Sequence, residues 1–211
     1  MAARRAVALA GALTLLASAA AAQPPPSKAE RWKAFDELTA PTGVGGCVLR
    51  AIDPRVNRAV LEKFIAGARG IPPELPPAIA AVSAGCTGRP YAPSDTALVA
   101  AVLGLFGRGA GALDFGSRLG IGQHRLDAAW LEASPEEKAP FLRAGADFVD
   151  PKSPTTVPTT ADAQPLARRL NLDSSDDPAK LLAVQRYYMA TALSEAGEAK
   201  LASEGAKPTN R

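Results

Sequence analysis

The chain contains few of the side chains that perform most enzyme chemistry. One histidine and two cysteines occur among its 211 residues. Structural zinc sites use four ligands, mostly cysteine and histidine, so this supply indicates no metal site. The sequence also lacks a CxxC pair, a GxSxG turn and a GxxxxGKS/T loop, which are typical of thiol oxidoreductases, α/β-hydrolases and P-loop proteins. We therefore expect neither a metal nor a cofactor.

A strong excess of either charge is also missing. The full chain has 24 Lys and Arg residues against 21 Asp and Glu, a formal net charge of +3. Without Arg4 and Arg5, which belong to the N-terminal segment described next, 22 basic residues face 21 acidic ones, a net charge of +1. Nucleic-acid binding depends on many Lys and Arg contacts to phosphates. A nearly neutral domain gives no electrostatic basis for it, so we expect no nucleic-acid partner.

An uncharged run stands at the N-terminus. Arg4 and Arg5 precede 17 uncharged residues, Ala6–Ala22, and small residues fill the positions before Gln23. A basic start, an apolar centre and a small-residue cleavage site are typical of a secretory signal peptide. The alternative, an uncleaved anchor, needs about 20 strongly apolar residues, and this run is rich in alanine. We expect cleavage after Ala22, a mature protein in the periplasm or outside the cell, and no transmembrane segment after cleavage.

The two cysteines, Cys47 and Cys86, form an isolated pair. In an oxidising compartment such a pair usually forms a disulfide. The alternatives are a metal pair, which lacks further ligands, and a redox pair, which lacks a CxxC spacing. Closing a loop of about 40 residues stabilises a fold by about 4 kcal/mol in the chain-entropy model. Because aromatic residues make up only 5% of the chain and alanine buries little area, that contribution is large for this core.

Helical periodicity recurs along the chain, and no strand-like alternation of useful length occurs. Asp53-Pro54, Ser134-Pro135 and Asp177-Pro178 are start signals in which a capping side chain precedes proline at the first helical position. The patterns predict helices at 27–38, 55–66, 78–84, 96–106, 123–133, from 135 onward, and from 178 to about 204. Residues 47–52 fit either a helix or a short strand. We predict an all-α fold, a small irregular helical bundle with one disulfide.

Composition divides the chain further. The signal peptide (1–22) and a proline-rich mature N-terminus (23–27) precede a helical domain at 28–149. Residues 150–165 contain four prolines together with Thr and Ser, which is typical of a linker. A C-terminal helical segment (166–211) with one long helix follows. Within the helical domain, the glycine-dense stretch 107–122 predicts a flexible loop.

One group of residues has the types found in catalytic triads. His124, the only histidine, lies near Ser117, Asp114 and Asp127 in the sequence. A nucleophile, a base and an orienting acid are assembled by tertiary geometry, and sequence proximity does not establish that geometry. A capping or surface histidine near a helix start is the competing interpretation. We keep these four residues as candidates for catalysis.

Two adjacent carboxylate pairs, Glu136-Glu137 and Asp176-Asp177, offer a second route to hydrolysis. Glycoside cleavage needs two carboxyl groups that face each other across a cleft. Adjacent residues at helix starts do not face each other, and capping explains both pairs. A cell-envelope hydrolase that uses His124 or one of these carboxylate pairs is the alternative function.

The segment Tyr187, Tyr188 and Met189 on the last predicted helix has two interpretations. Either it packs against the main bundle, or it forms an apolar face for a partner, displayed beyond the linker. The sequence favours packing, because Tyr188 and Met189 fall within the apolar stripe of the helix. All three are nevertheless the candidate binding residues that the sequence offers.

Residues 47–87 resemble the small periplasmic acid-stress chaperones, which are helical and carry one disulfide across a comparable separation. The resemblance depends on Cys47, Asp53, Pro77-Ala78-Ile79 and Cys86-Thr87. It implies a binding or chaperone function, covers about 40 residues, and has no counterpart for residues 90–211. Taken together, the sequence predicts an exported, non-enzymatic helical protein that binds another protein or a component of the cell envelope.

Overall fold

The computed structural model describes residues 27, 30, 33, 35, 43–67, 70–150, 152–154, 156–172 and 177–206. Across these ranges the regular structure is helical and contains no strand, which confirms the predicted all-α class. The helices with defined bounds are α1 (Val44–Ala51), α2 (Pro54–Ile65), α3 (Leu75–Thr87), α4 (Thr96–Leu119), α5 (Gln123–Glu132), α6 (Pro135–Val149), α7 (Thr160–Arg169) and α8 (Pro178–Ser203). The predicted signal peptide and its cleavage site lie outside the described residues.

The two longest helices, α4 and α8, pack against each other at the centre of the fold. Gly104 faces Ala190 and Ser194, whereas Ala101, one turn earlier on α4, faces Gly197. The order reverses along the two helices, so they run antiparallel. A Cβ atom added to Gly104 would lie 2.5 Å from the carbonyl oxygen of Ala190. Glycine is therefore required for this close approach of the two backbones.

The expected flexible loop at 107–122 is wrong, because α4 continues as one helix to Leu119. Gly107 and Gly111 lie on its inner face, where added Cβ atoms would meet Ala190 and Tyr187 at 2.6 and 2.9 Å. Burial of this face offsets the low helix propensity of glycine. The helix ends only at Gly120, which adopts a φ of 65° that most L-residues avoid.

Helix α4 is long and apolar enough to cross a bilayer by length and composition alone. Of its most apolar window, 72% is buried inside the protein. Valine, leucine and phenylalanine side chains surround its first half, and Leu98, Val102 and Phe106 are fully buried. A helix that is apolar on all sides is typical of the centre of a bundle.

The three start signals in which a capping residue precedes proline are confirmed, whereas the helix predicted at 78–84 begins earlier, at Leu75. The Asp53 carboxylate accepts a hydrogen bond from the backbone N–H of Arg55, and Asp177 does the same for Ala179. Ser134 and Glu137 form a reciprocal capping box at α6. The long C-terminal helix, α8, begins where the Asp177-Pro178 signal predicts.

The predicted linker at 150–165 overlaps a helix in the structure, because α7 begins at Thr160. Thr159 and Asp162 form a second capping box. The sequence contains the spacing of such a box, but the Pro and Thr residues around it favoured a linker. The Arg169 guanidinium donates to the Glu137 carboxylate at 2.7 Å, which ties α7 to α6. Helix α8, which follows, packs on α4, α6 and α7.

Smaller differences concern single elements. Residues 47–52, which fit either a helix or a short strand by sequence, belong mostly to α1, which begins at Val44. Two large apolar side chains, Leu131 on α5 and Leu142 on α6, are 76% and 40% exposed.

The disulfide between Cys47 and Cys86 is confirmed, and it joins α1 to α3. The two Cα atoms lie 5.7 Å apart, within the usual range for a cystine. A structural disulfide is typical of an oxidising, non-cytoplasmic environment.

Candidate functional site

The four residues proposed for catalysis do not form a hydrogen-bonded triad within the described residues. The Ser117 hydroxyl donates to the backbone carbonyl of Asp114 at 3.1 Å, and the Asp114 carboxylate pairs with Arg118. His124 is exposed, and no described hydrogen bond joins it to the other three. Catalysis by these residues stays a prediction that no contact supports.

Asp127 belongs instead to a half-buried polar network between α4, α5 and α8. Its carboxylate accepts hydrogen bonds from Arg108 Nη2 at 2.9 Å, from the Tyr187 hydroxyl at 2.9 Å and from Gln123 Nε2 at 3.2 Å. The ion pair with Arg108 compensates the charge of Asp127 at a site of reduced solvent exposure. Through these contacts the carboxylate links three helices.

The candidate binding residues Tyr187 and Tyr188 are both completely buried. The Tyr188 hydroxyl donates to the carbonyl of Leu126 at 3.0 Å, and its ring stacks on Trp130 with centroids 5.5 Å apart. Burial raises the pKa of both phenols. Met189 is partly buried against the same core. These side chains pack against the rest of the bundle, and neither tyrosine ring is available to a partner at the surface.

The paired carboxylates act at helix starts. The Glu137 carboxylate accepts hydrogen bonds from Arg169 and from the backbone of Ser134, and these bonds hold its pKa below the usual value. Asp177 caps α8, and Asp176 lies outside the described residues. Among the residues that the structure describes, no group of three or more His, Cys, Asp or Glu side chains is arranged to hold a metal ion.

An open groove of about 910 Å³ lies where the end of α1, the start of α2 and the middle of α3 meet. Most of its lining side chains are small or apolar, and two are arginines. Its lining residues are Ala51, Asp53, Pro54, Arg55, Val56, Arg58, Ala78, Ala81 and Val82. We refer to this feature as the α2–α3 groove.

Two contacts join the three helices that form the α2–α3 groove. The disulfide of Cys47 and Cys86 cross-links α1 to α3. The Asn57 side-chain amide donates to the carbonyl of Leu49 at 2.9 Å, which ties α2 to α1. The groove therefore belongs to a cross-linked unit of three helices, a favourable basis for a preformed binding surface.

Three of the side chains that line the groove are ionisable, two of them basic and one acidic. Arg55 and Arg58 are exposed and stand three residues apart, on the same side of α2. Asp53 is the only acid in the lining, and its carboxylate accepts the backbone N–H of Arg55 at 2.7 Å. No described residue forms an ion pair with the Arg55 guanidinium.

Sequence reasoning did not find this groove, although a signal for it exists. Helix α3 contains no charged residue along its whole length, yet Ala80, Ala81 and Ala84 are exposed. An exposed helix face normally carries charged residues. An uncharged, small-residue face in a short helix is the pattern that indicates a contact surface.

Comparisons with known proteins give no match: no family model, no curated protein and no solved structure is similar to this chain.

Proposed function

We propose that the chain is an exported helical protein that works by binding, without catalysis, and that the α2–α3 groove is its binding surface. Its partner is another protein or a component of the cell envelope. The observation that carries the proposal is the groove itself, which is lined by small and apolar side chains and two arginines and is formed by three helices, two of them joined by a disulfide.

Two independent features support export. The N-terminal pattern of Arg4-Arg5 followed by the uncharged run Ala6–Ala22 is typical of a cleaved signal peptide. The disulfide of Cys47 and Cys86 needs an oxidising environment to persist. Both features suit the periplasm or the extracellular space.

The chemistry of the lining supports binding over catalysis. Its only ionisable side chains are Asp53, Arg55 and Arg58. Arginine stays protonated in proteins and cannot serve as a general base. Asp53 is committed to the cap of α2. The groove therefore offers hydrogen-bond donors and apolar contact, and it lacks a nucleophile paired with a base.

Export is tested on protein purified from its native compartment. We expect the mature chain to begin at Gln23 and to contain no free thiol before reduction. An N-terminus at Met1, or free sulfhydryls at Cys47 and Cys86 in the native protein, contradicts this part of the proposal.

Binding is tested by placing a photo-crosslinking amino acid at Ala81 in the full-length chain, expressed in its own host. The matched control places it at Ala139, an exposed alanine of α6. We expect an adduct specific to position 81. The partner identified from that adduct should then bind the purified protein and lose affinity for the Ala81→Trp variant, but not for Ala139→Trp. Equal adducts at both positions, or equal affinities, contradict the proposal.

A further inference from the structure

We propose that the exposed face of α6 is a self-association surface, on which a second copy of this chain packs in antiparallel orientation. This inference goes beyond the proposed function and concerns a different helix from those that form the α2–α3 groove. It follows from the side chains on that face, from their spacing along the helix and from the arrangement of two opposite charges.

Three rows of exposed side chains run along α6. The two members of each row stand seven positions apart, which is two helical turns or about 10 Å, and so they lie on the same side of the helix. The rows are Pro135 with Leu142, Ala139 with Ala146, and Glu136 with Arg143. At about 3.6 residues per turn, the alanine row lies between the other two. The face therefore has an apolar edge, a centre of small side chains and a charged edge.

The apolar edge extends onto the neighbouring helix. Leu142 is 40% exposed, and Leu131 on α5 is 76% exposed. The Lys138 ammonium donates to the carbonyl of Leu131 at 3.2 Å and lies 5.7 Å from the centroid of the Trp130 ring. The charged group on this edge of α6 is therefore directed towards α5. Exposed apolar side chains that adjoin one another are typical of an interaction surface.

The centre of the face permits close approach of another helix. Ala139 and Ala146 project only a methyl group each. Pro135, Ala139, Leu142 and Ala146 are spaced by four, three and four positions, which is the spacing of side chains that face a partner helix in a coiled coil. A helix of the same kind can therefore lie along this face.

The charged edge favours a second copy as the partner. Glu136 and Arg143 are exposed, and neither forms an ion pair with a described residue. A hydrogen bond with Ser134 holds the pKa of the Glu136 carboxyl below its usual value. The face therefore presents one negative and one positive charge, two turns apart, and it is complementary to itself.

This complementarity also selects the orientation. A twofold axis that makes two α6 helices antiparallel brings charged edge to charged edge, and Glu136 of each copy then faces Arg143 of the other. The same axis brings the two apolar edges together. In a parallel pair, the charged edge of one copy meets the apolar edge of the other. Charges beside the contact between two helices commonly determine partner and orientation in this way.

The association should be weak and reversible. Helix α6 has 15 residues, a length of about 22 Å, and a contact between two such helices buries less area than a standard interface of about 1,600 Å². Burial of the apolar edge and the alanine row supplies most of the affinity, because exposed ion pairs contribute little. We expect a dissociation constant on the order of 10 µM.

Analytical ultracentrifugation of the purified mature protein at about 1–500 µM measures this association. We expect the average mass to rise from that of a monomer towards that of a dimer. Leu142→Glu should weaken association at least about tenfold, because it places a charge in the apolar contact. The control is Ile71→Glu, the same kind of change at a side chain of similar exposure, 44%, outside α6. It should leave the association unchanged.

Two tryptophan variants separate this surface from the groove. Ala139→Trp should block the dimer and leave the groove free, whereas Ala81→Trp should leave the dimer intact. A photo-crosslinking amino acid at Ala139 in the purified protein should give a product of twice the mass of the chain. That product contains only this chain, which distinguishes it from the partner adduct expected at position 81.

Exchange of the two charges tests the orientation. Glu136→Arg and Arg143→Glu each place like charges opposite one another, so each variant alone should self-associate at least about tenfold more weakly. An equimolar mixture of the two variants should associate, because each then complements the other. The double variant Glu136→Arg/Arg143→Glu should recover the association of the wild type. Circular dichroism and the melting temperature verify that each variant is folded.

The inference is overturned if the protein stays monomeric up to about 500 µM, or if the dimer persists in both Leu142→Glu and Ala139→Trp. It is also overturned if the mixture of charge variants associates no better than either variant alone. These results leave the proposed function standing, because binding of a partner in the groove is measured with Ala81→Trp.

Discussion

The carboxylate of Glu198 accepts a 2.7 Å hydrogen bond from the backbone N–H of Gly45, a residue 153 positions earlier in the chain. Its second oxygen accepts from the N–H of Val44 at 3.1 Å. Glu198 on α8 therefore caps the first turn of α1, the helix that carries Cys47. A Cβ atom on Gly43 or Gly45 would lie within 3 Å of this carboxylate, so the two glycines provide the space that it occupies.

This cap should contribute measurably to stability. Glu198→Ala leaves two N–H groups at the start of α1 without acceptors, and we expect the free energy of unfolding to fall by about 1–2 kcal/mol. Glu198→Gln keeps one acceptor and should cost less. Urea denaturation measures both. The exposed Glu132 provides the control, because Glu132→Ala should change stability by less than about 0.5 kcal/mol. Equal values for Glu198→Ala and Glu132→Ala would contradict the capping function.

Two glycine-to-alanine substitutions on α4 should change the stability of the protein in opposite directions. Gly104→Ala places a methyl group against the backbone of α8, and we expect a loss of about 1–3 kcal/mol from overpacking. Gly116 has nothing within 4 Å of an added Cβ, so Gly116→Ala should stabilise the protein by about 0.4–1 kcal/mol through the entropy of the unfolded chain. Thermal unfolding of the two variants checks the pair. A stabilised Gly104→Ala protein would mean that α4 and α8 are not in close contact.

The disulfide should be a large part of the total stability. Cys47 and Cys86 are separated by 39 positions, and a double substitution to serine should lower the free energy of unfolding by about 4 kcal/mol in the chain-entropy model. Reduced wild-type protein should match the double variant in chemical denaturation. A difference of less than about 1 kcal/mol between oxidised and reduced protein would show that the unfolded state is not constrained by the bond.

The raised pKa values of the tyrosines predict that stability changes at alkaline pH. Burial raises the pKa of Tyr187 and Tyr188, and burial together with the Asp95 charge raises the pKa of Tyr91. The folded state therefore keeps phenolic protons that the unfolded state releases near pH 10. Stability contributed by the protonated rings is complete below about pH 10 and falls as pH rises above it.

Ultraviolet titration of phenolate absorbance measures this effect. The chain has three tyrosines, and we expect all three to titrate above the usual value in the folded protein. Phenolate should then appear together with the loss of helical circular dichroism. Ionisation of two or more tyrosines near pH 10 in protein that is still helical would show that Tyr187 or Tyr188 is exposed.

Local signals in the sequence predicted the fold class well. Asp53-Pro54 and Asp177-Pro178 mark helix starts correctly because capping is a local interaction between neighbours. The pairing of Cys47 with Cys86 followed from the absence of any other cysteine. These inferences required no knowledge of which helix contacts which.

The predictions that failed depend on tertiary contacts. The low intrinsic helix propensity of glycine predicts a loop for the stretch 107–122. Most of this stretch is helical because Gly107 and Gly111 pack against α8. The groove was missed for a related reason. Its lining comes from three helices, and periodicity assigns each helix an inner face without showing which outer faces adjoin.

The antiparallel pairing of α4 with α8 also makes folding depend on contacts between distant parts of the chain. Ala190, Ser194 and Gly197 complete the contact surface of α4, and Glu198 completes the first turn of α1. All four lie far along the chain from the residues that they contact, so the long apolar helix α4 has no packing partner until α8 has formed. Contacts of such long sequence separation slow folding, and any shortened chain that ends before residue 190 exposes α4 to aggregation.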